Sequence, residues 1–129
     1  MRKLRVLVLC HPDLVPPDSR AGYSEKEAFE WKTEFDVVST LRKSGHEVKT
    51  LGVQYDLAPI KDAIEEWKPD VLFNLLVQFH GETVYGQNIA GFLELLRVPY
   101  TGCNPRGHVL SQGKDLSKKL VKYHRMPVP

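Results

Sequence analysis

VPYTGCNPRGHVLSQGKDLSKK, residues 98–119, decides how the rest of the chain is read. VPYT is a short strand that stops at Gly102. Asn104 and Pro105 then open a helix. Asparagine caps the free N–H groups of a first turn, and proline at the first helical position gives up only an N–H that would lack a partner. Gly113 interrupts, and residues 114–123 read as a second helix with Leu116, Leu120 and Tyr123 on one face. The upstream sequence must supply the remaining strands if this is the end of an α/β domain.

It does so in alternation. LRVLVLC at 4–10 is apolar throughout except Arg5, the pattern of a strand covered on both faces in the middle of a parallel sheet. Residues 11–23 carry three prolines and a glycine and read as a long loop. Ser24 and Glu27 form a capping box. The helix they open carries Ala28, Trp31, Phe35, Val38 and Leu41 at helical spacing and ends at Gly45, after Arg42 and Lys43. Residues 46–53 are mixed in polarity, as an edge strand is. After a turn at 56–59, a second helix presents Ile60, Ile64 and Trp67, and Lys68-Pro69 stops it. VLFNLL at 71–76 is another doubly buried strand. Residues 78–82 form a short loop, and 84–97 a helix with Tyr85, Ile89, Phe92, Leu93 and Leu96 on its apolar face. Strands separated by helices pair in parallel through right-handed crossovers. The expectation is a three-layer, Rossmann-like α/β domain with a parallel four-stranded sheet of order 2-1-3-4. Residues 1–126 form that domain and 127–129 begin a linker.

Composition agrees. The 129 residues make one domain, 42% hydrophobic and 26% charged, which fits a folded soluble protein rather than disorder. A net charge of +2 gives no argument for nucleic acid. The basic residues Lys118, Lys119, Lys122, His124 and Arg125 read as a solvated helix end. MRKLR before an apolar run imitates a signal peptide, but the run is too short for one, and no other window spans a membrane, so a cytoplasmic location is expected. Cys10 and Cys103 stand far apart without CxxC spacing, against a disulfide or a zinc site, and read as small buried hydrophobes. Trp31 and Trp67, at helical spacing with aliphatics, read as core or interface rather than as stacking platforms.

Open parallel sheets bind ligands beyond the carboxyl ends of their strands, where the strand order reverses. In order 2-1-3-4 that point lies between the first and third strands. The loops there are 11–23 and 78–82, with 102–106 beside them. Their polar residues are His11, Asp13, Asp18, Ser19, His80, Glu82 and Arg106. Dinucleotide and P-loop chemistry are excluded: CHPDL follows the first strand in place of G-x-G-x-x-G, and Gly107 to Gly113 encloses one residue too many. No acid ends the third strand, against a phosphoacceptor receiver domain. His11 and His80 lack a third metal ligand at diagnostic spacing.

FHG at 79–81 with Tyr85 and Gln87, LELLRVPYTG at 93–102 and GKDLSKKL at 113–120 together resemble the N-terminal, pre-ATP-grasp domain of the D-alanine–D-alanine ligase and ATP-grasp family. The resemblance covers nearly the whole chain. It implies a peptidoglycan-precursor type of ligase, in which Mg-ATP phosphorylates a carboxylate and an amine attacks the acyl phosphate. It implies that the loop of His80, Gly81 and Glu82 lies beside the substrates. Lys114 would stand on the nucleotide-phosphate side, and an acid of the first loop, Asp13 or Asp18, would hold a substrate ammonium. Three departures stand out: Gly113 replaces an aspartate before the lysine, Val77 and Gln78 replace acids before FHG, and HPDLVPPD replaces G-G-x-S-x-E. The family's ATP-binding subdomains would follow Pro129. ATP and magnesium therefore belong to a longer parent, and none is expected to act on this chain alone. The implied partners are carboxylate and amine (amino acid) substrates, the missing ATP-grasp domains and a second copy in a homodimer, with no nucleic acid or membrane. The alternatives are a free-standing Rossmann-like binding or dimerisation module and the N-terminal half of a glycosyltransferase, which GHEVKTL at 45–51 suggests.

Overall fold

Strand β1, Arg5–Cys10, runs through the centre of the molecule. In the computed structural model, which describes residues 2–128, its residues Val6 to Cys10 are at most 2% exposed. Side chains alternate across a strand, so a strand covered on both faces must be apolar at every position. Leu7 and Leu9 enter one core with Ile60, Leu72, Ile89 and Leu93. Val6 and Val8 enter a second with Val38 and Val48. Removing one such side chain from water is worth roughly 1.5–3 kcal/mol.

β2, Glu47–Gly52, and β3, Val71–Asn74, pair with β1 on either side, both in parallel. The sheet order is β2-β1-β3. The first and third strands are thus neighbours, as expected, and β2 is an edge. The expected fourth strand is not formed. Residues 98–101 make one isolated bridge, Leu72 with Tyr100, closed by Leu72 N–H to the Pro99 carbonyl at 2.8 Å and Thr101 N–H to the Leu72 carbonyl at 3.0 Å. The next ladder bond is diverted: Asn74 N–H donates to the Thr101 hydroxyl at 3.1 Å, and Gly102, at φ +97°, turns the chain away.

The first helix is not continuous either. It is divided into α1, Glu25–Glu30, and α2, Lys32–Lys43, at Trp31. Trp31 leaves the helical region and buries its indole between Tyr23 and Phe35, at ring separations of 5.3 and 5.5 Å. The capping box forms as read, with Ser24 N–H to Glu27 Oε2 at 2.9 Å and Glu27 N–H to Ser24 Oγ at 3.2 Å. α3, Ala58–Trp67, ends on Lys68 in the left-handed region, ahead of Pro69. α4, Gly86–Leu95, starts later than its apolar pattern suggests, because Thr83–Tyr85 winds as a 3-10 turn first. α5, Pro105–Gln112, is capped by Asn104, whose Oδ1 accepts the Gly107 N–H at 2.8 Å. α6, Lys114–Tyr123, follows directly. α2 covers the Val6/Val8 face of the sheet, and α3 and α4 cover the other, giving three layers. Leu116, Leu120 and Tyr123 share a face of α6 as the spacing predicts, but that face is exposed.

The two ends of the sheet differ. At the amino end, the Asp70 carboxylate accepts the Arg5 backbone N–H at 2.8 Å, and the Arg5 guanidinium donates to the Trp67 carbonyl at 2.9 Å. At the carboxyl end, the turn after β1 lies directly on β2. A Cβ at Gly52 would stand 2.6 Å from Pro12 Cα and 3.1 Å from Val15 Cγ2. Gly52→Ala should therefore force backbone apart and cost about 1–3 kcal/mol, seen as a lower urea midpoint at unchanged slope. An unchanged midpoint would contradict this contact.

Candidate functional site

The carboxyl ends of β1 and β3 open into the loops that the strand order singles out. His11 follows β1 and caps a 3-10 turn, Pro12–Leu14. Its Nδ1 accepts the Asp13 N–H at 3.1 Å and lies 3.7 Å from the Asp13 carboxylate, which is otherwise in solvent. Asp18 is carried elsewhere. Its carboxylate meets Arg42 at 3.2 Å, in the last turn of α2. That helix returns toward the start of β2, so this contact holds Asp18 beside the helix. Ser19 Oγ is used locally, accepting the Ala21 N–H at 3.1 Å.

The loop after β3 is a two-residue hairpin. Phe79 and Glu82 exchange backbone hydrogen bonds at 3.2 and 3.0 Å, and His80 and Gly81 between them have φ +54° and +74°. Two successive residues at positive φ make the turn that suits a tight hairpin, in which glycine is comfortable and histidine is not. His80 is held there by its N–H on the Gln54 carbonyl at 2.8 Å and by edge-on packing against Tyr55 and Phe79, at 5.2 and 4.9 Å. Its ring is exposed, beside the loop after β2. The Glu82 carboxylate is exposed. A non-glycine residue held in this region costs of order 1–3 kcal/mol, and such residues gather at functional positions.

Lys114 opens α6, exposed and without a hydrogen bond or ion pair among the described residues. A Cβ on Gly113, just before it, would stand 3.0 Å from the Val109 carbonyl, which accounts for glycine in the tight passage from α5 to α6. Gln112, two residues before Lys114, donates its amide N–H to the Thr83 carbonyl at 2.9 Å and ties this corner to the hairpin. The described contacts thus set His80 on Tyr55, Asp13 on His11 and Asp18 on Arg42, and none of them to Lys114. Arg106 lines a separate apolar groove of about 820 Å³ on the outer side of α4 and α5, with Leu57, Phe92, Leu95 and Val109. That groove is mostly apolar and has little polar chemistry.

A cavity of about 440 Å³ does lie past the end of β3. Its walls include Glu34 from α2, Asn74, Cys103, and His108 and Gln112 from α5. Glu34 is 7% exposed, yet its carboxylate has no hydrogen bond or ion pair among the described residues. A signal for it existed: Trp31, Glu34, Val38 and Leu41 follow at intervals of three, four and three, so this acid interrupts an otherwise apolar stripe. Glu34 stands close enough to Cys10 to act on its thiol, whose pKa is pushed up to about 11, chiefly by burial and then by that carboxylate. Tyr100 is likewise raised to about 12, by burial and by its hydrogen bond to Glu94 at 2.9 Å. Cys103 is exposed, which corrects the expectation that both cysteines are buried.

No family model matches the chain. Its relatives among curated proteins agree with one another. A D-alanine–D-alanine ligase of Aquifex aeolicus is 37% identical over 103 residues, 78% of this chain and 33% of that protein. One of Coprothermobacter proteolyticus is 30% identical over 84% of this chain and 34% of its own length. D-alanine–D-alanine ligase B of Brucella suis is 32% identical over 78% and 30%. The class defined by fold and site position is a Rossmann-like α/β domain with its candidate site at the carboxyl ends of a parallel sheet. By sequence the chain is related to the D-alanine–D-alanine ligases, consistent with their N-terminal domain, and spans about a third of the length of the curated relatives it matches. Among the described residues, no helix is long and apolar enough to cross a membrane.

The raised thiol and phenol bind their protons more tightly in the native state than in the unfolded chain. They cost nothing while both states are protonated, so stability is intact below about pH 9 and falls as pH rises through the folded values of about 11 and 12. Iodoacetamide at pH 8 should alkylate native Cys103 and spare Cys10. Equal labelling of the two would contradict the burial of Cys10.

Proposed function

We propose that this chain is the substrate-side domain of an ATP-dependent carboxylate–amine ligase of the D-alanine–D-alanine ligase type, cytoplasmic and acting on peptidoglycan precursors. The observation that carries this reading is the relation to those ligases across 78–84% of the chain. The left-handed His80-Gly81 turn at the carboxyl end of the sheet supports it. When bound in the complete enzyme, Mg-ATP would supply phosphoryl transfer to the carboxylate, making it open to attack by an amine. Lys114 fits one phosphate contact, being a free cation at a helix start, where a positive charge is unfavourable unless an anion comes to it. Among the described residues no group of three His, Cys, Asp or Glu side chains stands together to hold a metal ion. His80, Gly81 and Glu82, with Asp13 from the first loop, would position substrate. Asp18 would join them only by leaving Arg42.

In a protein that joins this domain to an ATP-grasp portion, Lys114→Ala should lower kcat by roughly 10²–10³ by removing a charge that stabilises the transition state. His80→Ala should raise KM for an amino-acid substrate more than KM for ATP. Turnover within about twofold of the parent after Lys114→Ala would end the assignment of that residue.

Two measurements on the chain alone complete the proposal. Phosphoryl transfer needs both sides of a site to position and neutralise the phosphates, so calorimetry should show no micromolar binding of Mg-ATP. Micromolar binding would overturn the assignment of an incomplete site. The apolar groove of Leu95, Val109 and Leu110 is exposed surface of the kind that promotes pairing, so light scattering should give a dimer mass. A monomer at all concentrations would remove the homodimer from the reading.

A further inference from the structure

We infer that the cavity past the end of β3 binds a primary ammonium group, with the Glu34 carboxylate as its acceptor. Two unsatisfied polar groups share its walls. Glu34 is 7% exposed, and its carboxylate has no hydrogen bond or ion pair among the described residues but is not sealed from solvent, whereas His108 Nε2 is both sealed from water and unpaired. A largely buried carboxylate without a cation is costly, and a position that keeps one calls for an explanation. The Cys10 thiol, whose pKa the Glu34 carboxylate helps to raise, is itself an acid and gives no compensation.

The chemistry of the walls selects the ligand. Glu34 is the only acidic side chain lining the cavity, and no three metal-ligating side chains gather there, so a compact organic cation fits better than a divalent metal ion. A primary ammonium carries three N–H donors on one small centre, whereas a guanidinium spreads five over a plane. A volume of about 440 Å³ admits a small molecule of several heavy atoms. The site lies between the ends of β1 and β3, because Glu34 acts on Cys10 at the end of β1 and Asn74 ends β3. The inference deepens the ligase reading, on which it rests only for the ligand being an amino-acid substrate. It places the ammonium on Glu34 of α2 and not on an acid of the first loop.

The test uses the 129-residue chain with ¹³C,¹⁵N labels, at constant ionic strength held with tetramethylammonium chloride, a cation without N–H donors. Ethylamine and D-alanine should each shift the Glu34 carboxylate, the His108 ring and the amides of Thr33 and Cys103 saturably. Propionate, lacking the ammonium, should not. Glu34→Gln should weaken ethylamine at least about tenfold while leaving the β1 amide signals in place, as loss of a charged acceptor requires. The inference is overturned by no saturable shift at these residues, by propionate acting as well as ethylamine, or by undiminished ethylamine binding in E34Q. If E34Q does not fold, the comparison of ethylamine with propionate on the parent chain still decides. Glu34-dependent amine binding beside absent ligation by a longer protein would keep the cavity and remove the ligase reading.

Discussion

The burial of β1 on both faces is the constraint from which the rest of the structure follows. A strand of six residues has to satisfy its backbone through two parallel neighbours and its side chains through two separate cores. Parallel neighbours cannot be reached by hairpins, so the chain must cross over through helices, and those helices are what cover the two faces. Once β1 is placed, α2 has one face to occupy and α3 and α4 the other.

The same strand gives the molecule its polarity. Its amino end is closed by Arg5, which reaches Trp67 while its backbone N–H meets Asp70. Its carboxyl end is left to loops, with Pro12 pressed on Gly52 and the His80 hairpin resting on Tyr55. Ligands of open parallel sheets bind at the second end. There stand a left-handed histidine, a largely buried carboxylate without a protein partner and an unpaired imidazole nitrogen.

Much of the fold was legible because it rests on local signals. The run at 4–10, the Ser24/Glu27 box, the Asn104-Pro105 start and the glycine after Lys43 each state a physical need that one residue type meets. The departures arise where a side chain overrides the pattern. Trp31 breaks a helix that periodicity makes continuous, because its indole is buried between two rings. Thr101 ends the fourth strand at a single bridge by taking the Asn74 N–H. The site was less legible. Loop residues were grouped by the strand they follow, but Asp18 is drawn away by Arg42 and Arg106 lines a groove outside the sheet end. Glu34 lies within a helix, away from the loops that the strand order singles out, and only its place in the stripe of Trp31, Val38 and Leu41 marks it. Such pairings depend on where long side chains meet in space, which spacing along the chain does not encode.

β1 is the element on which the domain depends, while α5 packs on α4 and α6 on α5, outside the two cores. Native-state hydrogen exchange reads this directly. The amides of Val6 to Cys10 should exchange only through global unfolding, with the free energy of the denaturant transition, and those of α5 and α6 through smaller, local openings. Exchange of the β1 amides by local opening, or protection of α6 equal to that of β1, would contradict it.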